Sequence, residues 1–321
     1  MLDLKNPCVE DEQLFLSIIM PVYNALDTIS RSIQSFQNLV EELPNNCNIN
    51  CKLYIVDDYS SDGTTQKIYD LIKPLDNIVI ILNDSHIGPG PSRNKALRLV
   101  KKGYIGFLDA DDEIVANEYI DSFINGVNLD SDWITFNGWF CSGNIKSSKY
   151  DFDRLVDSTE QLAIRCLRGE LDGSVIFSIY SSKLIKSNGL KFSEGYYEDI
   201  SFSYSALLLA KNRYISKNFA YKKHNISTSI VNTVSEIHVN GMINAWIEVD
   251  NNLKSYKILD KMDSHVDRIY GLYGYIADLI RSIILSNSTD HFKMKLFNLL
   301  FLRINSELAI NNFEYNVAQT M

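Results

Sequence analysis

Short apolar runs alternate with helix-period segments from Phe15 onward, and this alternation is the main structural signal in the chain. The apolar runs are Leu16–Met20, Leu53–Val56, Ile78–Leu82, Tyr104–Leu108 and Trp133–Phe136. The candidate helices between them lie around Thr28–Val40, Thr64–Ile72, Arg93–Lys101 and Asn117–Val127. Each connection is long enough for a right-handed βαβ unit. The pattern therefore predicts an α/β fold with a mostly parallel sheet flanked by helices.

The pattern changes twice later in the chain. After a polar stretch that ends at Ser158, we predict a helix, an apolar run, a second helix and a strand, at Glu160–Arg168, Ser174–Tyr180, Glu194–Lys211 and Tyr214–Tyr221. After Ser229 the chain is mostly helical, with apolar stripes through Ile269–Leu285 and Phe292–Leu308. We therefore expect an N-terminal tail (1–14), an α/β domain (15–231) with halves 15–136 and 137–231, and a helical C-terminal region (232–321).

Polar residues follow the apolar runs at the points where the predicted strands end. They are Pro21, Tyr23 and Asn24 after the first run, Asp57 and Asp58 after the second, and Asp109, Asp111 and Asp112 after the fourth. In open parallel sheets, ligands bind beyond the carboxyl ends of the strands. We therefore expect these residues to lie around one crevice.

The segment Phe107–Asp112 carries three of these carboxylates within four positions. Such carboxylates repel one another, so they are tolerated together in water or around a cation. A solvated turn that caps the next helix is the alternative interpretation, since Asp is a good N-cap residue. The position at the predicted crevice favours the metal, and a divalent ion there would suit a diphosphate because it neutralises the charge on a leaving nucleotide.

Two other segments near the crevice have open interpretations. The polar residues of Ile55–Thr64 are typical of a turn. Alternatively, Asp57 or Asp58 in this segment accepts hydrogen bonds from a nucleobase or a ribose. Gly88–Lys95 opens a helix but has Arg93 where a dinucleotide fingerprint has its third glycine, and it lies in the wrong βα unit, which argues against NAD. Arg93 could instead meet phosphate or a base, or face solvent.

Composition limits the class of partner and the compartment. The formal net charge of −9 argues against a protein that binds nucleic acid along an extended surface. The five cysteines lack metal-site spacing and favour a reduced, cytosolic compartment. The first twelve residues do not resemble a secretory signal, and no stretch reaches the ~20 apolar residues of a spanning helix. We expect a soluble protein, or one that touches a membrane from one side.

The motifs together resemble the family 2 inverting glycosyltransferases, which have the GT-A fold with its Rossmann-like sheet. The segments that carry the resemblance are Ser17–Asn24, Val56–Thr64, Gly88–Asn94, Phe107–Asp112 and Tyr197–Asp199. Their combination, order and spacing are specific, and they cover about residues 15 to 230. The resemblance implies transfer of a sugar from a nucleoside-diphosphate donor, usually a UDP-sugar, to a hydroxyl of a glycan or lipid-linked acceptor. It also implies a place in bacterial capsule or lipopolysaccharide assembly.

The resemblance also implies roles for individual residues. Donor-binding positions are Pro21, Tyr23, Asn24, Asp57, Asp58, Arg93, Asp109 and Asp111. Asp109–Asp111 matches the Asp-x-Asp motif of the family, and we expect Asp111 to bind the metal with Asp112 close behind. His224 lies where several members have a histidine that reaches the metal. An imidazole among oxygen ligands favours Mn²⁺, with Mg²⁺ as the alternative ion and a surface histidine as the alternative role.

Glu198 and Asp199 match the catalytic-base motif of the family, with Asp199 as the base. At a helix start, the helix dipole keeps a carboxylate ionised, while partial burial raises its basicity. The alternative is an ordinary acidic residue in a first helical turn. As a departure from the family pattern, Pro89 and Pro91 stiffen the loop that precedes Arg93, and His86 lies just ahead of it.

Two alternative functions, and the role of the C-terminal stripes, remain open from the sequence. A sugar nucleotidyltransferase would carry a glycine-rich, basic loop after its first strand, which Pro21–Leu26 lacks. A catalytically silent subunit could bind the nucleotide sugar or scaffold a partner. The C-terminal stripes could pack on the catalytic domain, form a homodimer, or lie on the inner face of the plasma membrane near a lipid-linked acceptor.

Overall fold

The computed structural model describes residues 13–72, 76–142, 145–148, 158–168, 170–224, 234–257, 265–286 and 288–307. Most of the predicted N-terminal tail and the predicted boundary near residue 232 lie outside these ranges. That division of the chain stays a prediction.

The described strands form one sheet of nine. They are β1 (Leu14–Val22), β2 (Ile49–Asp57), β3 (Ile78–Leu82), β4 (Tyr104–Phe107), β5 (Glu113–Ile114), β6 (Trp133–Ser142), β7 (Ile145–Ser148), β8 (Ser178–Ser181) and β9 (Arg213–His224). The order along the sheet is β3-β2-β1-β4-β8-β6-β9-β5, with β7 paired to β6. β3, β2, β1 and β4 pair in parallel, as the sequence predicts.

The second half of the sheet contains the strands that reverse direction. β8 is antiparallel to both β4 and β6, so it separates two strands that run the same way. β9 is parallel to β6, while β5 and β7 are antiparallel to their partners. Six of the nine strands therefore share one direction, which confirms the mostly parallel sheet.

Ten described helices cover the sheet or follow it. They are α1 (Ile29–Glu41), α2 (Thr64–Ile72), α3 (Pro89–Leu97), α4 (Ala116–Asn128), α5 (Thr159–Leu167), α6 (Ser182–Ser187), α7 (Glu198–Leu209), α8 (Glu236–Ser255), α9 (His265–Leu285) and α10 (Asp290–Glu307). The predicted start of α3 at Arg93 was wrong, because Pro89 is compatible with a first helical turn. Gly88 precedes α3 with a φ of 91°, which is not a helical value.

Burial explains the apolar runs. Leu16, Ile18, Ile19 and Met20 of β1 are all fully buried, so both faces of this central strand are covered and its sequence does not alternate. Helix α1 is amphipathic instead and buries one stripe, which includes Phe36. The core therefore lies on both sides of β1.

The chain divides into two compact units. The first takes in the described residues of Met1–Leu162, Asp172–Glu194 and Glu198–Ile226, and contains the sheet. The second takes in those of Ala163–Leu171, Gly195–Tyr197 and Ser227–Met321. Its core joins α8, α9 and α10 through nine buried side chains: Val239, Ile243, Trp246, Ile276, Leu279, Ile283, Leu296, Leu300 and Ile304. The predicted C-terminal stripes thus pack on one another and on α8.

No helix among the described residues combines the length and apolar character needed to span a bilayer. The cysteines differ in state: Cys51 and Cys166 are buried thiols. Burial raises the pKa of the Cys51 thiol to about 12, which makes it unreactive. Cys47 is disulfide-bonded, which differs from what the predicted reduced compartment implies for this residue.

Gly90 permits a close approach of α3 to the segment that starts α7. A Cβ atom at this position would lie 2.2 Å from the Ser193 carbonyl oxygen and 2.8 Å from Glu198 Cγ. We expect Gly90→Ala to lower the free energy of unfolding by about 1–3 kcal/mol, because overpacking forces the backbone to shift. Urea denaturation measures the change.

Gly274→Ala is the control for this substitution. A Cβ atom at Gly274, in α9, would meet its nearest neighbour at an ordinary 3.8 Å. We expect unchanged or slightly raised stability there, since alanine favours a helix by up to ~1 kcal/mol. Equal, small effects of the two substitutions would contradict the close packing of α3.

Candidate active site

Asp58 directly follows β2 and holds the loop between β3 and α3 by hydrogen bonds. Asn83 Nδ2 and the Ile87 amide donate to its Oδ1 at 2.7 and 2.9 Å. The Gly88 amide donates to Oδ2 at 2.7 Å, and His86 Nδ1 lies 2.8 Å from the same oxygen. A carboxylate has about four acceptor sites, and these four protein groups occupy all of those of Asp58. Its predicted bond to a nucleotide requires one of these donors to leave, and half-exposed His86 is the most accessible.

Tyr23 and Asn24 lie in the loop after β1, beside that segment. The Tyr23 ring stacks on His86 with centroids 4.0 Å apart, and it is 47% exposed. Asn24 has a φ of 47°, and its Oδ1 accepts a bond from the Ser61 amide at 2.9 Å. Asp57 Oδ1 accepts from the Ser60 amide at 3.1 Å. Tyr23 thus offers an accessible ring, whereas Asn24 and Asp57 shape the loops.

Arg93 projects from α3 and joins two acidic segments that are distant in sequence. Its Nη2 lies 2.8 Å from Asp109 Oδ1, and its Nη1 lies 2.5 Å from Glu198 Oε1. The side chain is only 5% exposed. Burial alone would lower the pKa of the guanidinium, but Asp109, Glu198 and Asp199 raise it above the ordinary value. Arg93 therefore stays charged and holds both segments at α3.

Asp109, Asp111 and Asp112 form the acidic cluster after β4, which we call the aspartate cluster. Each offers a carboxylate oxygen within 4.8 Å of the others. The Tyr221 hydroxyl donates to Asp112 Oδ2 at 3.0 Å and accepts from the Asp109 amide at 3.0 Å. The backbone amide of His224 donates to Asp112 Oδ1 at 2.8 Å. Strand β9 thus holds the cluster in place.

Burial and mutual repulsion disfavour the ionised forms of Asp111 and Asp112 in the aspartate cluster. Burial, then the charge of Asp109, raises the pKa of Asp111 to about 6, although Lys223 and Arg31 oppose the shift. Burial and both neighbouring aspartates raise the pKa of Asp112 well above its ordinary value. Three oxygen donors that repel one another suit a hard divalent cation such as Mg²⁺ or Mn²⁺.

The His224 side chain faces a different carboxylate. Its Nε2 lies 2.6 Å from Glu113 Oε1, and Glu113 is also 3.9 Å from both Arg31 Nε and Lys222 Nζ. The set of potential metal ligands among the described residues consists of the three aspartates. The role of His224 as a fourth ligand stays a prediction, and sequence reasoning missed its pairing with Glu113.

Glu198 and Asp199 occupy the first turn of α7. Burial, then the Asp199 charge, raises the pKa of Glu198 to about 7, and Arg93 partly opposes this. Burial raises the pKa of Asp199 above its ordinary value, against Arg93 and Lys223. Its Oδ2 accepts a bond from the Val175 amide at 3.3 Å. Burial therefore outweighs the neighbouring positive charges at both residues.

A hydrogen-bond network around α3 connects four of the predicted site residues, namely Asp58, Arg93, Asp109 and Glu198. Asn83 Nδ2 donates to Ser92 Oγ at 2.9 Å as well as to Asp58, so the end of β2 is tied to this helix. Arg93, the next residue, reaches the aspartate cluster and the start of α7. Sequence reasoning missed Asn83, Tyr221 and Lys223; the period-2 alternation of β9 was the available signal for the last two.

The comparisons with known proteins find similar sequences with named activities. Residues 17–145 match the family described as "Glycosyl transferase family 2". The chain is 28% identical over 217 residues to the poly(ribitol-phosphate) beta-glucosyltransferase of Bacillus spizizenii, covering 64% of this chain and 31% of that one. It is 36% identical over 107 residues to the UDP-Glc:alpha-D-GlcNAc-diphosphoundecaprenol beta-1,3-glucosyltransferase WfgD of Escherichia coli, covering 33% and 39%.

A solved structure shares the fold. Staphylococcus aureus TarS 1–349 in complex with UDP-GlcNAc aligns with a TM-score of 0.59 at 20% identity, covering 85% of this chain and 84% of that one. This likeness confirms the predicted GT-A fold class. The chain spans between 31% and 41% of the length of the first curated relatives that it matches. Residues 17–145 are thus similar to glycosyl transferase family 2.

Proposed function

We propose that the chain is an inverting glycosyltransferase that moves a sugar from a UDP-sugar to a hydroxyl of a glycan or lipid-linked acceptor. The observation that carries this proposal is the Arg93 bridge, which sets the aspartate cluster beside Glu198 and Asp199. The aspartate cluster, which would bind the metal that holds the leaving diphosphate, then lies beside Asp199, which would deprotonate the acceptor. The relatives support the donor and acceptor classes, since WfgD is named for UDP-Glc and a diphosphoundecaprenol acceptor. We place the reaction at the cytoplasmic face of the membrane.

The ends of β1 and β2 would hold the nucleotide. Tyr23 offers an exposed ring for stacking on a base, whereas the carboxylates of Asp57 and Asp58 already accept protein hydrogen bonds. We assign these two aspartates, with Pro21 and Asn24, mainly to shaping the nucleotide pocket. Arg93 pairs with Asp109 and positions it at the edge of this nucleotide pocket.

The aspartate cluster would hold Mn²⁺ or Mg²⁺. Its three clustered carboxylates, with their raised pKa values, fit a divalent cation because the cation relieves their repulsion. When bound, such an ion stabilises the charge that develops on a leaving diphosphate. We assign Asp111 and Asp112 as ligands, and the place of His224 beside them remains part of the proposal.

Asp199 would act as the general base. It accepts the proton of the acceptor hydroxyl, and that oxygen attacks the anomeric carbon from the face opposite the diphosphate, which inverts the configuration. Partial burial raises its pKa and therefore its strength as a base, while the positive charges of Arg93 and Lys223 favour the ionised form. Glu198 pairs with Arg93, as Asp109 does, and this ion pair holds the first turn of α7 in place.

We expect Asp199→Asn to lower the rate of sugar transfer by ~100-fold or more, since a general base contributes 10²–10⁴-fold. UDP binding should stay close to that of the original protein, because the amide keeps the shape of the side chain. Transfer kinetics and calorimetric titration with UDP measure the two effects. Asp121→Asn, at an exposed position of α4, is the control and should retain transfer. Near-normal transfer by Asp199→Asn would sink the assignment.

The transfer rate should depend on pH through the base. Asp199 must be ionised, and its pKa is raised from the ordinary 3.8. The rate is therefore full above the raised pKa and is lost as the pH falls through it. Because the pKa of Glu198 is also raised, to about 7, the profile is measured for Glu198→Gln as well. An acid limb that disappears in Glu198→Gln would assign the limb to Glu198 instead.

Metal removal should stop transfer. We expect EDTA to lower the rate by ~100-fold or more, and Mn²⁺ or Mg²⁺ to restore it, because a metal supplies several kcal/mol of charge stabilisation. Asp111→Asn should abolish the gain in UDP affinity that Mn²⁺ produces, with Asp121→Asn again as control. UDP affinity that is independent of metal in the original protein would contradict the proposed metal site.

A further inference from the structure

The end of β9 presents its side chains to two different groups of acids. Successive residues of a strand point to opposite faces of the sheet, so Tyr221 shares a face with Lys223, and Lys222 shares the other with His224. The contacts follow this rule. The Tyr221 hydroxyl reaches the aspartate cluster, whereas Lys222 Nζ and His224 Nε2 both reach Glu113. Lys223 therefore lies on the face of β9 that the aspartate cluster occupies.

Lys223 carries a charge that faces acids without pairing closely to any of them. It lies two residues after Tyr221, whose hydroxyl is 3.0 Å from Asp112 Oδ2, and so on the face of the aspartate cluster. In agreement with this position, its charge lowers the pKa of Asp111, Asp112 and Asp199. Within the described part of the chain, it makes neither a hydrogen bond nor a close ion pair. The side chain is partly exposed. It is thus a cation accessible to a ligand.

The neighbouring cations are already engaged. Arg93 uses both terminal nitrogens on Asp109 and Glu198. Arg31 Nη2 donates to the Asp111 carbonyl oxygen, and its Nε is 3.9 Å from Glu113. Lys222 is 3.9 Å from Glu113 as well. Among these four described cations, Lys223 is the one left for an incoming anion.

We propose that Lys223 binds the diphosphate of the nucleotide-sugar donor, opposite the aspartate cluster. This inference rests on the proposed function and deepens it. An anionic donor approaches a site with five carboxylates, namely Asp109, Asp111, Asp112, Glu198 and Asp199, so a free ammonium offsets part of the repulsion. Lysine binds phosphate as a compact point charge. Because negative charge grows on the diphosphate as the sugar leaves, Lys223 stabilises the transition state more than the bound donor.

The test compares UDP with uridine, which lacks phosphate, on Lys223→Met. We expect the UDP affinity to fall ~10-fold or more and the uridine affinity to stay unchanged, with kcat falling as well, because only UDP loses a charged contact to its phosphates. Lys222→Met, one residue away on the other face, is the matched control and should bind UDP normally. Lys223→Arg should recover part of the UDP affinity. Circular dichroism checks that each variant is folded.

Three outcomes would overturn the proposal. Equal losses of UDP and uridine affinity would show a structural role for Lys223. Unchanged UDP affinity with an acid limb moved to higher pH would show that Lys223 acts on Asp199 alone. In both cases the original protein still binds UDP and transfers sugar, so the proposed function stands. Failure of the original protein to bind UDP at all would instead remove the proposed function, and this inference with it.

Discussion

The buried guanidinium of Arg93 is the interaction on which the rest of the site depends. It links a helix, a loop after a central strand and the start of a second helix, which come from three separate parts of the sequence. Removal of one partner from a buried, hydrogen-bonded charge pair typically costs ~3–5 kcal/mol, because the other charge is left uncompensated. The chain therefore cannot vary Asp109, Glu198 and Arg93 independently, although none of the three is the proposed base.

Around this bridge, the protein holds an excess of negative charge close to the sheet edge. Burial and mutual repulsion raise the pKa values of Asp111, Asp112, Glu198 and Asp199. Such an arrangement is costly for a folded chain alone and becomes favourable when cations share it. The same electrostatics suit a reaction in which a proton is taken at one place and a diphosphate leaves at another. Clustering these carboxylates thus lowers the stability of the fold, whereas the proposed chemistry requires them to lie close together.

The sequence predicts the parallel half of the sheet well because its signals are local. β1 contains a long apolar run and β2 contains the shorter run Leu53–Val56, and α1 and α4 carry clear helical periodicity. β5, with two residues, is too short to show any period. The insertion of β8 between β4 and β6 depends on pairing between distant segments, which no local pattern encodes.

The same distinction applies to the site. The strand-end position of Asp58 is visible in the sequence, whereas the four protein donors that surround its carboxylate come from a loop about 25–30 residues away. The three residues of the aspartate cluster lie within four positions of the sequence and were predicted together. Arg93 was identified as a candidate, but its two acidic partners follow from tertiary packing alone.

The order β3-β2-β1-β4 has a consequence for how a ligand would be arranged. The chain leaves β1 toward β2 on one side, whereas the chain leaving β4 moves away on the other. The two exit segments diverge, and neighbouring strands with diverging exits create a topological switch point, where open α/β sheets form their clefts. Tyr23 borders this cleft on the β1 side and Asp109 on the β4 side. An elongated molecule would therefore lie across the strands, with chemically different ends meeting loops from opposite halves of the sheet.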